Sequence, residues 1–452
     1  MTLREGNLEA PTRHPIDWRN PEFYEEPAFL EEAERIFDIC HGCRRCVSLC
    51  GAFPTLFDLV DASKTMGVDG VAKADYWKVV DQCYLCDICY MTKCPYVPPH
   101  PWNVDFPHLM LRGKAQKFEN GETTFRDRLL TNTDKLGKLA TIPVVVQMVN
   151  KANAMPAVRA VMEKVLGVAA KAELPPYAKR RFRDRPRASL QWPIRDGQRT
   201  PGKVALFATC YVNFNEPGIG YDLLAVLEHN RIPYTFVVQE ACCGMPKFEL
   251  GDLAAVETLK DVNIPPLAAL ARAGNAILTA VPSCTLMFKQ ELPLIFPGDP
   301  DVQAVADAMF DPFEYFVLRD KDGLFDRAFP QPLGKVNYHI PCHSRVQKIG
   351  QKTREVLEWV PDTTVTTVER CAGHDGTWGV KREYFAQSMK IGAPVFKRMS
   401  DGDPDYVSSD CPIAGRRIAQ GIAEDGGTRA RKVHPLTLLR MAYGLPNLSH
   451  ES

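Results

Sequence analysis

The fifteen cysteines carry the clearest chemistry in this 452-residue sequence, and they fall into two blocks, residues 40–94 and 210–411. The first block contains two runs, each a Cys-x-x-Cys-x-x-Cys triplet followed by a fourth cysteine: Cys40, Cys43, Cys46 and Cys50, then Cys83, Cys86, Cys89 and Cys94. A triplet of this spacing lets three thiolates close on one face of an iron–sulfur cubane, and a more distant cysteine completes the ligand set. The first block therefore predicts two [4Fe-4S] clusters.

In two-cluster ferredoxins the fourth cysteine of each run serves the other cluster. That pattern assigns one cluster to Cys40, Cys43, Cys46 and Cys94 and the second to Cys83, Cys86, Cys89 and Cys50. Four residues, rather than the expected three, precede Cys94, although Pro95 follows it as the pattern requires. Zinc is the alternative metal, but a zinc site needs only two thiolates from each Cys-x-x-Cys arm. Zinc leaves the third cysteine of each triplet unexplained, so clusters are favoured.

In the second block, cysteines follow short apolar runs of strand length. Strands are predicted at 204–208, 234–238 and 276–281, and they lead into Cys210, Cys242-Cys243 and Cys284. The same order returns with strands at 335–340, 363–368 and 406–408, which lead into Cys342, Cys371 and Cys411. Corresponding cysteines are offset by 132, 129 and 127 residues, which indicates a duplicated domain. Strands alternating with helices favour mostly parallel sheets, so the cysteines of each repeat are expected to converge at the carboxyl edge of its sheet.

Several stretches around these cysteines carry a family resemblance. In the first repeat they are Cys210-Tyr-Val-Asn-Phe-Asn-Glu-Pro, Ala241-Cys-Cys-Gly-Met-Pro246 and Pro282-Ser-Cys-Thr285; in the second they are Tyr338-His-Ile-Pro-Cys-His343, Gly376-Thr-Trp-Gly-Val-Lys-Arg-Glu383 and His434-Pro-Leu-Thr-Leu-Leu439. The pair resembles the cysteine-rich (CCG) domains in the B subunit of heterodisulfide reductase. The whole layout resembles the family of the C subunit of anaerobic glycerol-3-phosphate dehydrogenase, which joins an N-terminal ferredoxin to two CCG domains. The long gap between the first two runs is similar to that of α-helical ferredoxin domains.

The two repeats differ from the reductase pattern, in which each motif offers five thiolates to a non-cubane cluster. Here the first repeat offers four, enough for a [4Fe-4S] cluster, and the cubane or non-cubane type stays open: Cys210, Cys242, Cys243 and Cys284. A redox disulfide or dithiol at the adjacent pair is the alternative there. The second repeat offers only Cys342, Cys371 and Cys411, because alanines stand at 372 and 414. Outside ligands for a doubtful further site are His343, His374, Asp375 and Asp410, but a degenerate repeat without a cluster is favoured.

The elements that position these residues divide the chain into four predicted domains. An α-helical two-cluster ferredoxin domain spans 1–115, and a helical, basic connector spans 116–200. A first CCG domain spans 201–332 and a second, degenerate one spans 333–452. The fold class is therefore a multidomain α+β protein in which the ferredoxin domain precedes a duplicated α/β pair. In the first domain, helices are predicted at 27–39, 54–60 and 72–81.

The connector carries an apolar pattern of helical spacing over 153–171, followed by a basic run at 179–187. The apolar face comprises Met155, Val158, Val161, Met162, Val165, Leu166 and Ala169. The favoured interpretation is a helix packed on the neighbouring domain and followed by a solvated linker. The alternative is a helix that lies in a membrane interface with its basic flank on anionic headgroups.

Composition and charge exclude several classes of function. The 55 basic and 55 acidic side chains balance, which argues against a dedicated nucleic-acid binder. The polar N-terminus lacks a secretory signal and no run is long enough to span a bilayer, so a cytoplasmic location is expected, peripheral on the inner membrane if membrane-bound. Neither a Gly-x-Gly-x-x-Gly motif after a strand nor a phosphate-binding loop occurs, so no flavin or NAD is expected.

The resemblance implies an iron–sulfur oxidoreductase subunit that relays electrons from a flavoprotein dehydrogenase partner through its clusters to an acceptor such as membrane quinone. The first alternative is a thiol or heterodisulfide reductase acting at the CCG cluster, and the second is a redox partner of a rubrerythrin-like peroxide-reducing system. An iron–sulfur scaffold or redox sensor is a third, which no DNA-binding pattern supports. His41 and His100 are expected beside the clusters rather than as ligands, and His339 and His434 as hydrogen-bonding groups of the α/β core.

Overall fold

The computed structural model describes residues 9–184 and 192–447, which belong to two compact units. Unit 1 comprises 1–131, 246–257 and 294–297, and unit 2 comprises 132–245, 258–293 and 298–452. The second proposed repeat therefore lies in unit 2, and so does the first apart from 246–257 and 294–297.

The regular elements described in unit 1 are all helical. Its α-helices are α1 (Glu26–Cys43), α2 (Ala52–Asp61), α3 (Lys73–Gln82), α4 (Phe106–Glu119) and α5 (Phe125–Leu130). The predicted helices at 27–39, 54–60 and 72–81 are confirmed; the first two are a few residues longer than predicted, and the third is shifted by one residue. The face of α1 predicted to be apolar is buried, and its Phe37 packs on Tyr76 of α3 and Phe106 of α4.

Unit 2 contains two parallel four-stranded sheets of the same strand order. The first sheet has the order β2-β1-β3-β4, formed by β1 (Val204–Leu206), β2 (Tyr234–Phe236), β3 (Ala276–Leu278) and β4 (Met309–Phe310). The second has the order β6-β5-β7-β8, formed by β5 (Gly334–His339), β6 (Thr363–Val368), β7 (Tyr406–Ser409) and β8 (Arg431–Lys432). The six predicted strands are confirmed and the duplication extends to topology. The edge strands β4 and β8 were not predicted, because two residues carry no readable period.

Helices cover both sheets of unit 2. They are α6 (Thr133–Ala140), α7 (Val145–Ala154), α8 (Pro156–Leu166), α9 (Cys210–Phe214), α10 (Pro217–His229), α13 (Pro282–Leu286), α15 (Pro300–Ala308), α16 (Pro312–Lys321), α17 (Cys342–Arg345), α18 (Lys352–Leu357), α19 (Arg382–Ser400), α20 (Pro412–Glu424) and α21 (Pro435–Ala442). Three further helices include residues of both units: α11 (Met245–Leu250), α12 (Leu253–Arg272) and α14 (Leu292–Ile295).

Buried polar contacts join the two repeats within unit 2. Asp222 of α10 accepts hydrogen bonds from Arg440 at 2.6 Å and from Thr437, both on α21. Arg416 of α20 binds both Glu216 and the hydroxyl of Tyr211 in the first repeat. The pKa of Asp222 is raised by burial, which the paired arginine only partly offsets. These contacts fix the two sheets in one arrangement.

The connector differs from its prediction. The single helix predicted over 153–171 is wrong, because the chain forms α7, breaks at Met155 and resumes as α8 up to Leu166. Met155 is extended (φ −86°, ψ 118°) because it precedes Pro156, whose ring disfavours a helical conformation there. Gly167 ends α8 in the left-handed conformation (φ 65°), before Pro175-Pro176 are reached.

The apolar face predicted for this segment is packed only in part, so the favoured interpretation of a buried face holds only in part. Val161 and Val165 are 59% and 74% exposed, Ala169 is buried, and Val158, Met162 and Leu166 are partly buried. The buried side chain of α8 is Arg159, whose guanidinium donates to the carbonyls of Ala169 and Ala172. The helix is thus held to the following loop by an arginine, and Val161 and Val165 face outward.

The basic run at 179–187 is described only as far as Asp184, and residues 185–187 lie outside the described residues. The described part is not simply a solvated linker. Phe182 is buried against Tyr221 and Phe236 of the first repeat, and Arg183 pairs with Glu240 at 2.8 Å.

The core of the second repeat offers a test of packing. Gly421 of α20 faces Phe396 of α19, and an added Cβ would lie 2.1 Å from the Phe396 ring. We expect Gly421→Ala to lower the free energy of unfolding by about 1–3 kcal/mol because of overpacking. Gly218 of α10 has open space at its Cβ position, so Gly218→Ala should be neutral or stabilising by up to about 1 kcal/mol. Anaerobic urea unfolding measures both, and equal effects at the two sites would refute the packing.

Candidate iron-sulfur sites

Site 1 is defined by Cys40, Cys43, Cys46 and Cys94, which lie together in unit 1. They line one cavity whose wall also contains Phe53, Phe57, Tyr96 and Val104. Burial raises the pKa of the Cys40 thiol well above its usual value, and the neighbouring thiols of Cys94, Cys46 and Cys43 raise it further. Cys40 and Cys43 end α1, and Arg44 then turns the chain with a left-handed conformation (φ 51°). The four cysteines that the spacing assigned to one cluster therefore share one cavity.

The extra residue before Cys94 is accommodated by a π-helical turn over Cys89–Lys93. The amide of Cys94 donates to the carbonyl of Cys89 at 2.8 Å, which is the i to i+5 bond of such a turn. This wider turn absorbs one residue without displacing the cysteine at its end. Burial raises the pKa of Cys94 to about 11, while backbone amides of Tyr96 and Val97 donate to its sulfur.

Site 2 is defined by Cys50, Cys83, Cys86 and Cys89. The pKa of Cys89 is raised by burial and then by Cys86, Cys46, Cys83 and Cys50, so these sulfur atoms are neighbours. The loop that carries them curls through two left-handed residues that are not glycine, Leu85 (φ 51°) and Asp87 (φ 59°). Such conformations cost energy and persist where surrounding contacts hold them. Cys46 of site 1 lies close enough to influence Cys89, which makes the two sites neighbours in unit 1.

Arg13 holds the curled loop of site 2. Its guanidinium binds Asp87 at 2.5 Å and Asp105 at 2.9 Å and lies 4.6 Å from the centre of the Tyr90 ring. Asp105 is buried, which by itself raises its pKa, but Arg13 and His108 outweigh burial and lower the pKa strongly. A distant N-terminal residue therefore fixes the loop between Cys86 and Cys89.

Site 3 is defined by Cys210, Cys242, Cys243 and Cys284 at the carboxyl ends of β1, β2 and β3. The thiol of Cys210 forms a hydrogen bond with Cys242. Cys243 in turn forms hydrogen bonds with both Cys242 and Cys284. Because Cys210 and Cys243 donate to Cys242, its pKa lies well below the usual value. Cys242 and Cys243 are both thiols rather than a disulfide. The parallel sheet thus brings together the four cysteines expected of it.

Three residues that position site 3 were missed from the sequence. Thr133 of α6 lies beside Cys242, and Asp134 accepts from the Cys242 amide at 2.5 Å. Asn263 of α12 accepts a hydrogen bond from the Ala241 amide and donates one to the Cys242 carbonyl. No local motif marks these residues, because Asp134 lies 108 residues before Cys242 and Asn263 lies 21 residues after it. The sequence signal that these residues do carry is a threonine followed by an aspartate, which is typical of the start of a helix such as α6.

Site 4 is defined by Cys342, Cys371 and Cys411 at the carboxyl ends of β5, β6 and β7. Burial raises the pKa of Cys342 well above its usual value, and Cys371, Cys411 and Asp375 raise it further. His374 lies beside these thiols, with its Nε2 3.9 Å from the Cys411 sulfur. Ala372 and Ala414, at the positions of the missing cysteines, are each 4% exposed. The second repeat therefore keeps its three cysteines together.

Other predicted polar residues have structural partners. His339 hydrogen-bonds Ser409 at 3.0 Å and the Arg370 carbonyl at 2.9 Å, and His434 bonds the Asp410 carbonyl, which confirms both as core residues. The carboxylate of Asp410 accepts from Tyr338 and from Thr353. Burial and nearby Asp311 raise the pKa of Asp410 to about 8. Asp410 is therefore occupied by hydrogen bonds of the sheet edge.

The donor sets fit iron–sulfur clusters. Four thiols around a cavity with apolar walls, as in site 1, provide the soft ligands that such clusters need. Each thiolate of a four-iron cluster binds a different iron, so the sulfur ligands stand further apart than around one zinc. Over residues 9–184 and 192–447, no group of three or more histidine, cysteine or acidic side chains is arranged to hold a single metal ion.

Comparison with known families bears on the two repeats. Residues 204–289 and 336–413 each match the cysteine-rich domain called CCG, and these ranges contain sites 3 and 4. The chain therefore contains two regions that match the CCG cysteine-rich domain. The resemblance stated from the sequence is confirmed, and so is the mixed α/β fold of the duplicated CCG pair. The assignment of the N-terminal unit as a two-cluster ferredoxin domain remains a prediction.

Several proteins are similar to this chain over larger spans. The C subunit of anaerobic glycerol-3-phosphate dehydrogenase from Escherichia coli K12 is 28% identical over 348 residues, which is 76% of this chain and 83% of that protein. The B subunit of fumarate reductase (CoM/CoB) from Methanothermobacter marburgensis is 24% identical over 251 residues, 55% of this chain and 48% of that protein. Lactate utilization protein A 1 of Bacillus cereus AH820 is 29% identical over 225 residues, 46% of this chain and 87% of that protein.

The arginine beside site 2 gives a prediction of stability. Arg13→Met leaves two largely buried carboxylates without their cation, so we expect the free energy of unfolding to fall by about 3–5 kcal/mol at pH 7. The pKa of Asp105 is lowered in the folded state, so its stabilisation is complete above about pH 4 and is lost only as the pH falls further. The unaltered protein should therefore keep this stabilisation at both pH 7 and pH 5.5, whereas in the variant burial raises the carboxyl pKa values, so the loss should be no larger at pH 5.5 than at pH 7.

Anaerobic urea unfolding at the two pH values measures this loss. Arg19→Met is the matched control, because Arg19 is 64% exposed and pairs with Glu257 in the same unit. It should cost less than about 1 kcal/mol. A similar cost for both variants would contradict the role of Arg13.

Proposed function

We propose that the chain is the iron–sulfur electron-transfer subunit of an oxidoreductase. Electrons enter from a flavoprotein dehydrogenase partner, pass through [4Fe-4S] clusters in sites 1 and 2, reach a cluster in site 3 and leave to an acceptor such as membrane quinone. The observation that carries the proposal is the gathering of twelve cysteines into three groups of four, each group drawn from separate parts of the chain.

The position of sites 1 and 2 supports a relay. The run Cys40 to Cys50 contributes three thiols to site 1 and one to site 2, and the run Cys83 to Cys94 does the reverse. Cys46 of site 1 lies near Cys89 of site 2, so one electron would move a short distance between two centres in unit 1. When bound, such clusters supply reversible one-electron chemistry without breaking bonds in a substrate.

The need for a partner follows from the sequence and from the named relatives. No motif for flavin, nicotinamide or nucleotide binding occurs in the chain, so a donor has to come from elsewhere. Two of the similar proteins are named as subunits, one of a dehydrogenase and one of a fumarate reductase. These names favour a subunit over a self-contained enzyme.

Iron analysis after anaerobic purification tests the proposal. Removing two thiols from one site should remove that cluster, so each double variant is expected to lose about four iron atoms and four sulfides per chain. The variants are Cys40→Ala with Cys43→Ala, Cys83→Ala with Cys86→Ala, and Cys210→Ala with Cys284→Ala. Electron paramagnetic resonance of the dithionite-reduced protein should lose one signal in each case.

The same iron measurement includes a matched control. Ser283→Ala changes the residue beside Cys284 without removing a thiol, and it should retain the iron of the unaltered protein. Zinc in place of iron, or iron content that stays the same after the cysteines are removed, would refute the relay.

We further propose that the connector binds a membrane surface carrying anionic lipid, which would bring the clusters near a quinone. The connector surface is the set of exposed apolar side chains on α6 to α8 and their turns: Leu139, Ile142, Val144, Met148, Met155, Val161 and Val165. Val144, 68% exposed, has a left-handed conformation (φ 73°) that is strained for a β-branched residue. An exposed apolar set of this size within one short segment is typical of an interaction site.

Charge favours lipid as the occupant of the connector surface. Four exposed lysines lie among the apolar side chains: Lys135, Lys138, Lys151 and Lys164. The acidic residues of the same segment turn inward, Asp134 to the Cys242 amide and Glu163 to the Ala170 amide. Among residues 9–184 and 192–447, no helix is both long and apolar enough to cross a membrane. An amphipathic surface of basic and apolar side chains suits shallow binding at a lipid interface, here on the cytoplasmic side of the inner membrane.

Vesicle sedimentation tests membrane binding. Val161→Asn with Val165→Asn should weaken binding at least about tenfold, because two valines would no longer enter the interface. Met66→Asn, at a residue that is 66% exposed in unit 1, is the control and should bind as before. Lys151→Gln with Lys164→Gln should weaken binding to phosphatidylglycerol vesicles but not to neutral phosphatidylcholine vesicles. Unchanged binding by the valine variant would exclude the connector surface.

A further inference from the structure

The second CCG domain lost two of its five family thiolates, yet it retains a formed sulfur site. Cys342 begins α17, Cys371 follows β6 and Cys411 precedes the first residue of α20. These positions repeat those of Cys210, Cys242 and Cys284 in the first domain. The three thiols remain close enough to raise the pKa of Cys342, although nothing in the core requires three cysteines at one point.

Backbone amides point at all three sulfur atoms of site 4. The Gly373 amide donates to the Cys371 sulfur at 3.3 Å. The amide of His343 donates to Cys342, and those of Ala414 and Ile413 donate to Cys411 at the start of α20. Amide donors of this kind stabilise thiolate rather than thiol, and they tune the potential of iron–sulfur clusters.

An imidazole lies beside the thiols of site 4. Gly373 has φ 69°, and a Cβ there would lie 1.9 Å from the Ser388 carbonyl oxygen, so the turn is fixed by close packing. The next residue, His374, is held with Nε2 3.9 Å from the Cys411 sulfur. Arg417 donates to the Gly379 carbonyl at 2.8 Å and closes the far side of this loop. The histidine is therefore placed by the fold beside the three thiols.

We propose that site 4 binds an iron–sulfur cluster through Cys342, Cys371 and Cys411, with His374 as the fourth ligand. The inference rests on the proposed function, which it deepens by adding a centre to the relay. The donor set resembles that of site 3 with one thiolate replaced by imidazole, and nitrogen of histidine is an established ligand to iron in such clusters.

The changed ligand gives site 4 a distinct role. A neutral imidazole in place of an anionic thiolate leaves the cluster one unit more positive, and histidine ligation raises the potential of iron–sulfur centres. Helix α13, which carries Cys284 of site 3, packs against α17, which carries Cys342, and the Gln347 side chain donates to the Pro282 carbonyl at 3.4 Å. Site 4 would therefore receive electrons from site 3 and act as the high-potential end of the relay.

Pulsed electron paramagnetic resonance of the full-length, anaerobically purified protein tests the ligand set. The reduced protein should show a strongly coupled nitrogen that changes on labelling with ¹⁵N-histidine. His374→Ala should abolish this coupling. His343→Gln is the matched control, because His343 is the other buried histidine beside a cysteine of this site, and it should keep the coupling. Coupling that is absent from the unaltered protein or survives His374→Ala would overturn the histidine ligand.

Iron analysis separates this proposal from the one on which it rests. Cys342→Ala with Cys371→Ala should remove about four iron atoms per chain and the nitrogen coupling, and leave the iron of sites 1 to 3 in place. Iron content unchanged by this pair, with the expected losses for the other three pairs, would overturn site 4 and leave the proposed function standing. Loss at none of the four pairs would overturn both.

Discussion

Burying several thiolates side by side is electrostatically unfavourable, and the fold of this chain brings cysteines together at four places. Burial and neighbouring sulfur atoms raise the pKa values of Cys40, Cys89 and Cys342 together. Deprotonated cysteines would repel one another in such surroundings unless positive charge were present. On the proposed function, iron supplies that charge. The helices of unit 1 and the parallel sheets of unit 2 are then frames that hold anionic ligands close together in advance.

The two units bring their cysteines together in different ways. In unit 1 the thiols come from loops that curl through left-handed residues, and a buried arginine ties one loop to the N-terminal segment. In unit 2 the carboxyl edge of a parallel sheet gathers cysteines that lie up to 74 residues apart, as a consequence of strand order alone. The connector contributes to site 3 as well, because Asp134 of α6 accepts a hydrogen bond from the Cys242 amide, and α6 also begins the exposed apolar surface.

The cysteine groups and most of the fold could be predicted from the sequence, because spacing of cysteines and period of strands are local signals. The six strands could be predicted because apolar runs such as Ala276–Leu278 stand a few residues before a cysteine. Pro156 could have predicted the helix break at Met155, but the apolar side chains keep a helical period across it and so indicated one continuous helix. Thr133 and Asn263 could not be found, because their roles arise only when distant segments meet. The outward orientation of Val161 was equally hidden, since the same period describes a buried face and an exposed one.

The π-helical turn before Cys94 also bears on how related chains are recognised. A pattern that demands a fixed spacer of three residues ahead of the last cysteine would pass over this chain at that position. One inserted residue inside a helical turn widens a single loop of backbone and leaves the geometry on either side unchanged. The number of residues between two ligands can therefore vary wherever those residues form a helical turn. Sequence searches that allow one extra residue at this position would find diverged relatives while keeping the other spacings fixed.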